Sequence, residues 1–302
     1  MSFIQAASPG CCFRTRSCLR LPLTVVGIVW ACGLTVPCFA QNVALDKSVF
    51  WDDGLSEMCY YDATETIYGK ARHYTRVQMI NRQWMGPESG VKADAGPGAV
   101  AVFKFVLSEQ IPTPNYNYRY LCTMFLRRAD LSPFKLTATC QEWCGTTFKH
   151  LRWRDQALTM QSFSYFGGEA DKSWQRPVDS VPFEAVFVLA REAAASQKAM
   201  QVNLLPPMRA QHEVVPDAAP ATLTPATTTT LAQVPFGTVQ VRRVTLAGGG
   251  GGGGWFDVEA EQPHRLIAFD AGGISAKLRA TERRAYWDRK WKSIFYKPNQ
   301  AP

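Results

Sequence analysis

Between Tyr116 and Leu126 the side chains alternate in kind. Tyr116, Tyr118, Tyr120, Cys122, Met124 and Leu126 fall on one side, Asn117, Arg119 and Thr123 on the other. A period of two marks a strand with one face buried. From Phe134 the same beat sets Phe134, Leu136, Ala138 and Cys140 opposite Lys135, Thr137, Thr139 and Gln141. Ala-Asp-Leu-Ser-Pro at 129–133 supplies turn chemistry between the two runs, so they predict a hairpin. Further strands are predicted over 58–68, 73–84, 99–107, 146–153, 157–166, 200–205, 236–246, 255–260, 264–269 and 274–286. Arg242-Arg243 interrupts its run, which suits a bulge.

One segment reads as a helix, Phe183 to Met200, Ala-rich and with Val186, Leu189 and Ala193 at near-helical spacing. Many strands and one helix predict a mainly β (α+β) fold: a strongly curved antiparallel sheet or half-open β-barrel with one covering helix. Two stretches look slack. Residues 206–235 are rich in Pro, Thr and Ala, and 247–254 holds seven consecutive glycines. A phosphate-binding glycine loop would run into Lys-Ser/Thr and a helix. Here Trp255-Phe256-Asp257-Val258 follows, so the glycines read as a hairpin connection.

The first 40 residues read as a signal peptide that precedes a single β-rich domain over 41–302. They contain Arg14, Arg16 and Arg20, no acidic residue, and an apolar centre at Leu23–Val36 ending in Pro37-Cys38-Phe39-Ala40. Small side chains at Cys38 and Ala40 place the cut after Ala40. A retained anchor is the alternative, and with either one the remainder stays outside the cytoplasm. Removing the leader lowers the net charge from +8 to +5 and takes five of the nine cysteines. The end at 277–302 is basic and aromatic, which leaves the rest of the body near neutral and argues against nucleic acid as a partner.

Cys59, Cys122, Cys140 and Cys144 remain. Cys140 and Cys144 on one strand would stand ~13 Å apart, beyond the ~7 Å that a disulfide spans. A hairpin folding about 130–131 brings Cys122 almost opposite Cys140, so Cys122–Cys140 is the preferred bridge, with Cys59 and Cys144 paired or free. Cys-x3-Cys without a second pair is a poor zinc pattern, so no metal and no cofactor are expected. Cys144 and His150 flank Gly145-Thr146-Thr147 and could act as nucleophile and base. Glu142, Glu169 and Asp171 complete the acidic candidates for hydrolysis. His212 falls in a slack stretch and is set aside.

Phe50-Trp51-Asp52-Asp53-Gly54-Leu55-Ser56-Glu57, Tyr68-Gly69-Lys70-Ala71-Arg72, Gln141-Glu142-Trp143-Cys144-Gly145 and Ser164-Tyr165-Phe166-Gly167-Gly168-Glu169-Ala170-Asp171 resemble a family of exported, uncharacterised bacterial proteins. Some members carry the label septum formation inhibitor Maf. The Ser-x-Ser-Pro-Arg-Arg start of Maf pyrophosphatases is missing here, so that label implies no catalytic residue. Trp255-Phe256-Asp257-Val258, Pro263-His264-Arg265-Leu266 and Gly273–Leu278 are similar in rhythm to lipoprotein-carrier-like half-barrels. That resemblance implies a half-barrel wrapped around a helix and sheltering acyl chains.

These readings predict an exported protein of the bacterial periplasm or cell envelope. It would bind a lipid or another apolar small molecule through Tyr116, Tyr118, Tyr120 and Met124. Peripheral membrane contact would run through Arg283, Arg284, Trp287 and Trp291. The alternatives are an exported hydrolase or transferase acting on envelope material, built on Glu142, Cys144, His150, Glu169 and Asp171, or a structural or partner-binding envelope protein. The balance falls against an enzyme.

Overall fold

The computed structural model describes residues 43–290 apart from 48, 251 and 289. The proposed leader and Trp291 lie outside the described residues. Among the described residues sixteen strands form one sheet. The first half is a meander of β1 (Ser56–Ile67), β2 (Lys70–Met85), β3 (Val100–Ile111), β4 (Tyr118–Arg127), β5 (Pro133–Glu142), β6 (Gly145–Arg154), β7 (Ala157–Ser164) and β8 (Lys172–Pro177). After β9 (Ser180–Val181) and the helix α1 (Val186–Ser196) come β10 (Met200–Leu204), β11 (Ala219–Pro225), β12 (Thr230–Val234) and β13 (Gly237–Gly248). The chain finishes with β14 (Gly254–Glu259), β15 (Leu266–Ala271) and β16 (Ile274–Arg284). β1 pairs with β16, which joins the two halves, and the sheet runs from β8 at one end to β9 at the other. Neighbours are antiparallel except β9 and β10. The expected curved antiparallel sheet with one helix is the fold, rolled into a nearly closed barrel.

The alternation read in β4 is the alternation of burial, with Tyr118, Tyr120, Cys122, Met124 and Leu126 inside. α1 is buried from Val186 to Ala194, charged residues included. A helix apolar or paired on every side belongs inside a core. Its Phe187 ring lies 6.2 Å from Phe105, 5.7 Å from Phe256 and 5.1 Å from Phe269, so it ties both halves of the sheet together. Arg191 donates to both oxygens of Glu57 at 2.6 and 3.2 Å and to the Pro263 carbonyl at 2.8 Å. Glu192 accepts from the Ala44 and Leu45 amides at 3.1 and 2.9 Å, which docks the N-terminal segment on the helix. The helix stops earlier than its Ala-rich sequence predicts because Gln197 adopts a left-handed conformation, with φ of 56°.

The stretch at 206–235 is not slack throughout. Its alternating Ala221 and Leu223 face inward, and β11 takes a ladder place between β10 and β13. β12 pairs with β13 alone. No bulge forms at Arg242-Arg243, where the ladder to β14 runs without a shift. Instead β13 changes partner there from β12 to β11, and Arg242 donates to the Ala226 carbonyl at 2.6 Å in the gap. The glycine run does join a hairpin. Gly248 has φ of 81°, and a Cβ there would collide with the Pro220 carbonyl oxygen.

β8 and β9 make no ladder with each other. Side chains instead fasten each border to another element, β9 to β6 and β8 to the segment after β10. Trp153 Nε1 donates to the Ser180 carbonyl at 2.8 Å, and Arg176 donates to the Pro216 carbonyl at 3.0 Å and to Asp217 at 2.9 Å. Lys172 donates to Glu213 at 2.9 Å.

Candidate functional site: the tyrosine-lined mouth of the barrel

Three tight connections meet at one mouth. Tyr68 and Gly69, with φ of 53° and 70°, form the two-residue turn between β1 and β2, where Ile67 pairs with Lys70. Paired positive φ angles match the twist of a hairpin. Trp143 and Cys144 form a two-residue turn between β5 and β6, where Glu142 pairs with Gly145, without positive φ angles. In the link before β4, the Thr113 hydroxyl donates to the Tyr116 carbonyl at 2.5 Å and pins that residue.

The tyrosines then connect the turns. The Tyr68 and Tyr118 hydroxyls lie 2.5 Å apart. The Tyr116 ring stacks on Trp143, with centroids 5.4 Å apart, while its hydroxyl contacts Glu142 Oε2 at 3.2 Å and Cys144 Sγ at 2.6 Å. The Cys144 contact, with some burial, pushes the Tyr116 hydroxyl pKa up. The segment after β10 crosses this mouth as a strap. Gln211 donates to Glu142 Oε1. Glu169 accepts from His212 Nδ1 at 2.7 Å, the Glu213 amide at 2.8 Å and Ser164 Oγ at 2.8 Å. Burial works to raise the Glu169 carboxyl, but these donors outweigh it and hold the group below its ordinary range.

Beneath the strap lies a buried ladder of charge. Arg209 binds Glu65 through Nη1 at 2.9 Å and Nη2 at 2.7 Å, and its Nε donates to Glu109. Arg76 donates to the same Glu109 at 2.7 Å. Burial alone would raise the Glu109 carboxyl; the two guanidiniums overcome that and lower it.

Hollows of about 420 and 410 Å³ open on the two sides of Tyr116. Arg119, Gln141, Glu142 and Trp143 line the first; Tyr68, Lys70, Arg72, Asn115 and Tyr118 line the second. Deeper in, the hollow between Arg76, Glu184, Phe187 and Arg209 has about 30 Å³, room for one water.

The predicted residues therefore separate. Tyr116 and Tyr118 line the mouth, whereas Tyr120 and Met124 belong to the packed core. Glu142 and Cys144 meet on Tyr116, and Glu169 reaches the same mouth through the strap. His150 does not converge with Cys144: it shares the outer face of β6 with Phe148, whose ring stacks on it at 6.3 Å. Asp171 is exposed with no ion pair among the described residues. The Cys122–Cys140 bridge is not formed, and all four described cysteines are free thiols. The register pairs Cys122 with Ala138 and Cys140 with Tyr120, because this hairpin is centred on residue 130, one position short of the centre that a Cys122–Cys140 pair needs. That leaves the thiols on a diagonal, beyond bonding distance. Cys59 is buried in β1 while Cys144 is exposed at a turn, so that alternative bridge is also missing.

Lys70, Arg72, Arg209, Gln211 and His212 are the mouth residues that sequence reasoning passed over. The Tyr68–Arg72 motif contained a signal for two of them. His212, set aside as part of a slack stretch, instead holds Glu169. At the C-terminal end Arg283 is committed to Asp53 at 2.7 Å, while Arg284 and Trp287 are exposed. Among the described residues no three His, Cys, Asp or Glu side chains are grouped to hold a metal, and no helix is long and apolar enough to cross a membrane.

No protein-family model matches this chain, and no curated protein matches it. Among solved structures it is similar to a β-barrel-like protein of domain of unknown function DUF1849 from Brucella abortus. That likeness has a TM-score of 0.47 and 12% identity, and covers 76% of this chain and 97% of that one.

Proposed function

We propose that this chain is an exported envelope protein that binds a small amphipathic ligand, a lipid head with its first carbons or a molecule of that character, at the tyrosine-lined mouth of its barrel. The observation that carries this reading is the pair of hollows flanking Tyr116, about 420 and 410 Å³, at a mouth whose interior below is filled. Small-ligand sites occupy about 300–1,000 Å³ and combine rings with a few polar groups. Trp143, Tyr68 and Tyr165, 83%, 71% and 70% exposed, surround the opening and would meet the apolar part of the ligand. Export rests on the leader at 1–40. Binding is favoured over hydrolysis because the recorded partner of Cys144 is a tyrosine hydroxyl, and His212 is occupied by Glu169.

The test is native mass spectrometry of the protein recovered from the exported fraction. The expected spectrum shows a chain beginning at Gln41 with a non-covalent ligand that Tyr116→Ala releases. A chain that stays empty after incubation with envelope lipids overturns the binding reading.

A further inference from the structure

We infer that the hollow on the Tyr68 side of Tyr116 is an oxyanion site, in which Lys70 and Arg72 hold a phosphate or carboxylate carried by the ligand. This rests on the reading of the mouth as a binding site. It adds the charge of the ligand and the side on which it sits.

The period of β2 places Lys70, Arg72, Tyr74 and Arg76 on one face, the face whose deeper members are buried. Going inward, the cations on this face find carboxylates. Arg76 has Glu109, and the strap residue Arg209 has both Glu65 and Glu109. Going outward, the matching fails. Glu65 stands directly across the ladder from Arg72, yet both its oxygens are taken by Arg209 at 2.9 and 2.7 Å. Neither Lys70 nor Arg72 forms an ion pair among the described residues. The Arg72 Nε is buried with no hydrogen-bond partner. A guanidinium half inside a wall with a donor unused favours an acceptor beside it, since a buried hydrogen bond left unmade is costly.

The other walls suit an oxyanion. The Tyr68 and Tyr118 hydroxyls, 2.5 Å apart, use one of their two protons on each other and leave one to donate. Asn115 brings an amide to the same hollow. The fork of Arg72 can grip two oxygens of one carboxylate or phosphate, and Lys70 adds a point charge. Glu142 lines the other hollow, beyond Tyr116, so its charge steers an anion toward the Tyr68 side. At about 410 Å³ the space exceeds a bare ion. The anion therefore comes attached to a body that rests on the Tyr116 ring.

The same group could arrive on a soluble metabolite or on a lipid in a bilayer, and two arms separate these sources. In one, the mature protein is titrated with glycerol 3-phosphate while the fluorescence of Trp143, stacked on Tyr116, is followed. In the other, it is sedimented with vesicles of phosphatidylglycerol or of phosphatidylcholine. The expected result is saturable binding in at least one arm, with preference for phosphatidylglycerol over phosphatidylcholine if the lipid arm binds. Binding should weaken at least tenfold in the Lys70→Gln/Arg72→Gln double variant and stay within twofold in Arg154→Gln, whose side chain pairs with Glu88 and Asp155 at the β6–β7 turn and lines neither hollow. Should the double variant fold poorly, bound glycerol phosphate or phosphatidylglycerol must still protect Lys70 of the unaltered protein from acetylation. Equal affinity in the double variant, or no protection of Lys70, overturns the oxyanion site. A neutral ligand that co-purifies and is lost with Tyr116→Ala overturns it too, while leaving the mouth as a binding site. A protein empty under every condition removes both readings.

Discussion

Lys149 is 1% exposed on the inner face of β6, and its ammonium donates to the Ala210 carbonyl of the strap at 2.8 Å. It forms no ion pair among the described residues. Burial pulls its pKa down from 10.5 to about 8, against a smaller upward pull from Cys140, Glu184, Glu169 and Cys122. Between those two values the unfolded chain binds a proton that the folded chain has released, so stability rises as pH rises through that window. Below it, both states hold the proton and the folded state bears the full penalty. A gap of about 2.5 units corresponds to about 3 kcal/mol, of which about 2.5 kcal/mol is relieved between pH near 7 and pH near 10. Replacing Lys149 with Met removes the charge and keeps most of the volume. The lost hydrogen bond returns about 1 kcal/mol, so Lys149→Met should stabilise the protein by about 2 kcal/mol near pH 7. Urea denaturation of both proteins near pH 7 and near pH 10 measures the difference. Other groups titrate alike in the two chains and cancel. If the stability difference were the same at both pH values to within about 0.5 kcal/mol, the lysine would not be buried as an unpaired cation and the reasoning would be refuted.

The ion pair between Arg191 and Glu57, 5% and 3% exposed, should behave asymmetrically. Glu57→Gln strands a buried guanidinium and should lose about 3–5 kcal/mol in denaturant unfolding, whereas Arg191→Met with Glu57→Leu should recover most of it. The thiols give a second check. Cys144 is exposed, while burial pushes the Cys59 thiol up to about 12 and the Cys140 thiol up to about 11. Alkylation of native protein spanning residues 41–302, without reductant, should therefore mark Cys144 alone, and alkylation after denaturation should mark Cys59, Cys122 and Cys140 as well. Labels on only two cysteines of the denatured chain would restore a disulfide.

The barrel wall was legible because hairpins write their own pattern. In β4 and β5 each inward residue alternates with an outward one, and the turn residues sit between them. β8 and β12 were illegible for a physical reason: they pair on one side only, so nothing in them selects an apolar face. The helix was found, but not how deeply it is seated. Nothing in the sequence marks Arg191 and Glu192 as buried, because their partners, Glu57 and the Ala44 and Leu45 amides, lie more than a hundred residues away. The mouth has the same difficulty. Lys70 and Arg72 stand in a motif that sequence inspection noticed, yet their chemistry depends on Arg209 taking Glu65 across 144 residues. The cysteine pairing turned on where the hairpin is centred, residue 130 and not 131, a one-residue difference that the turn chemistry of 129–133 does not fix.

The line between β8 and β9 makes this molecule a scroll rather than a tube. Every other neighbouring pair in the sheet parts only by breaking a run of backbone hydrogen bonds, but here β8 is buttoned to the strap by Arg176 and Lys172, and β9 to β6 by Trp153. Two of those buttons are solvent-facing ion pairs, which salt loosens while leaving ladders intact. The strap that carries Arg209, Gln211 and His212 is fastened along the same border. Unbuttoning would free only the outer end of the strap, with the sheet still whole, because Arg209, Ala210, Gln211 and His212 stay held at the mouth. One polar edge thus sets both how the barrel closes and where the cover over its opening first loosens.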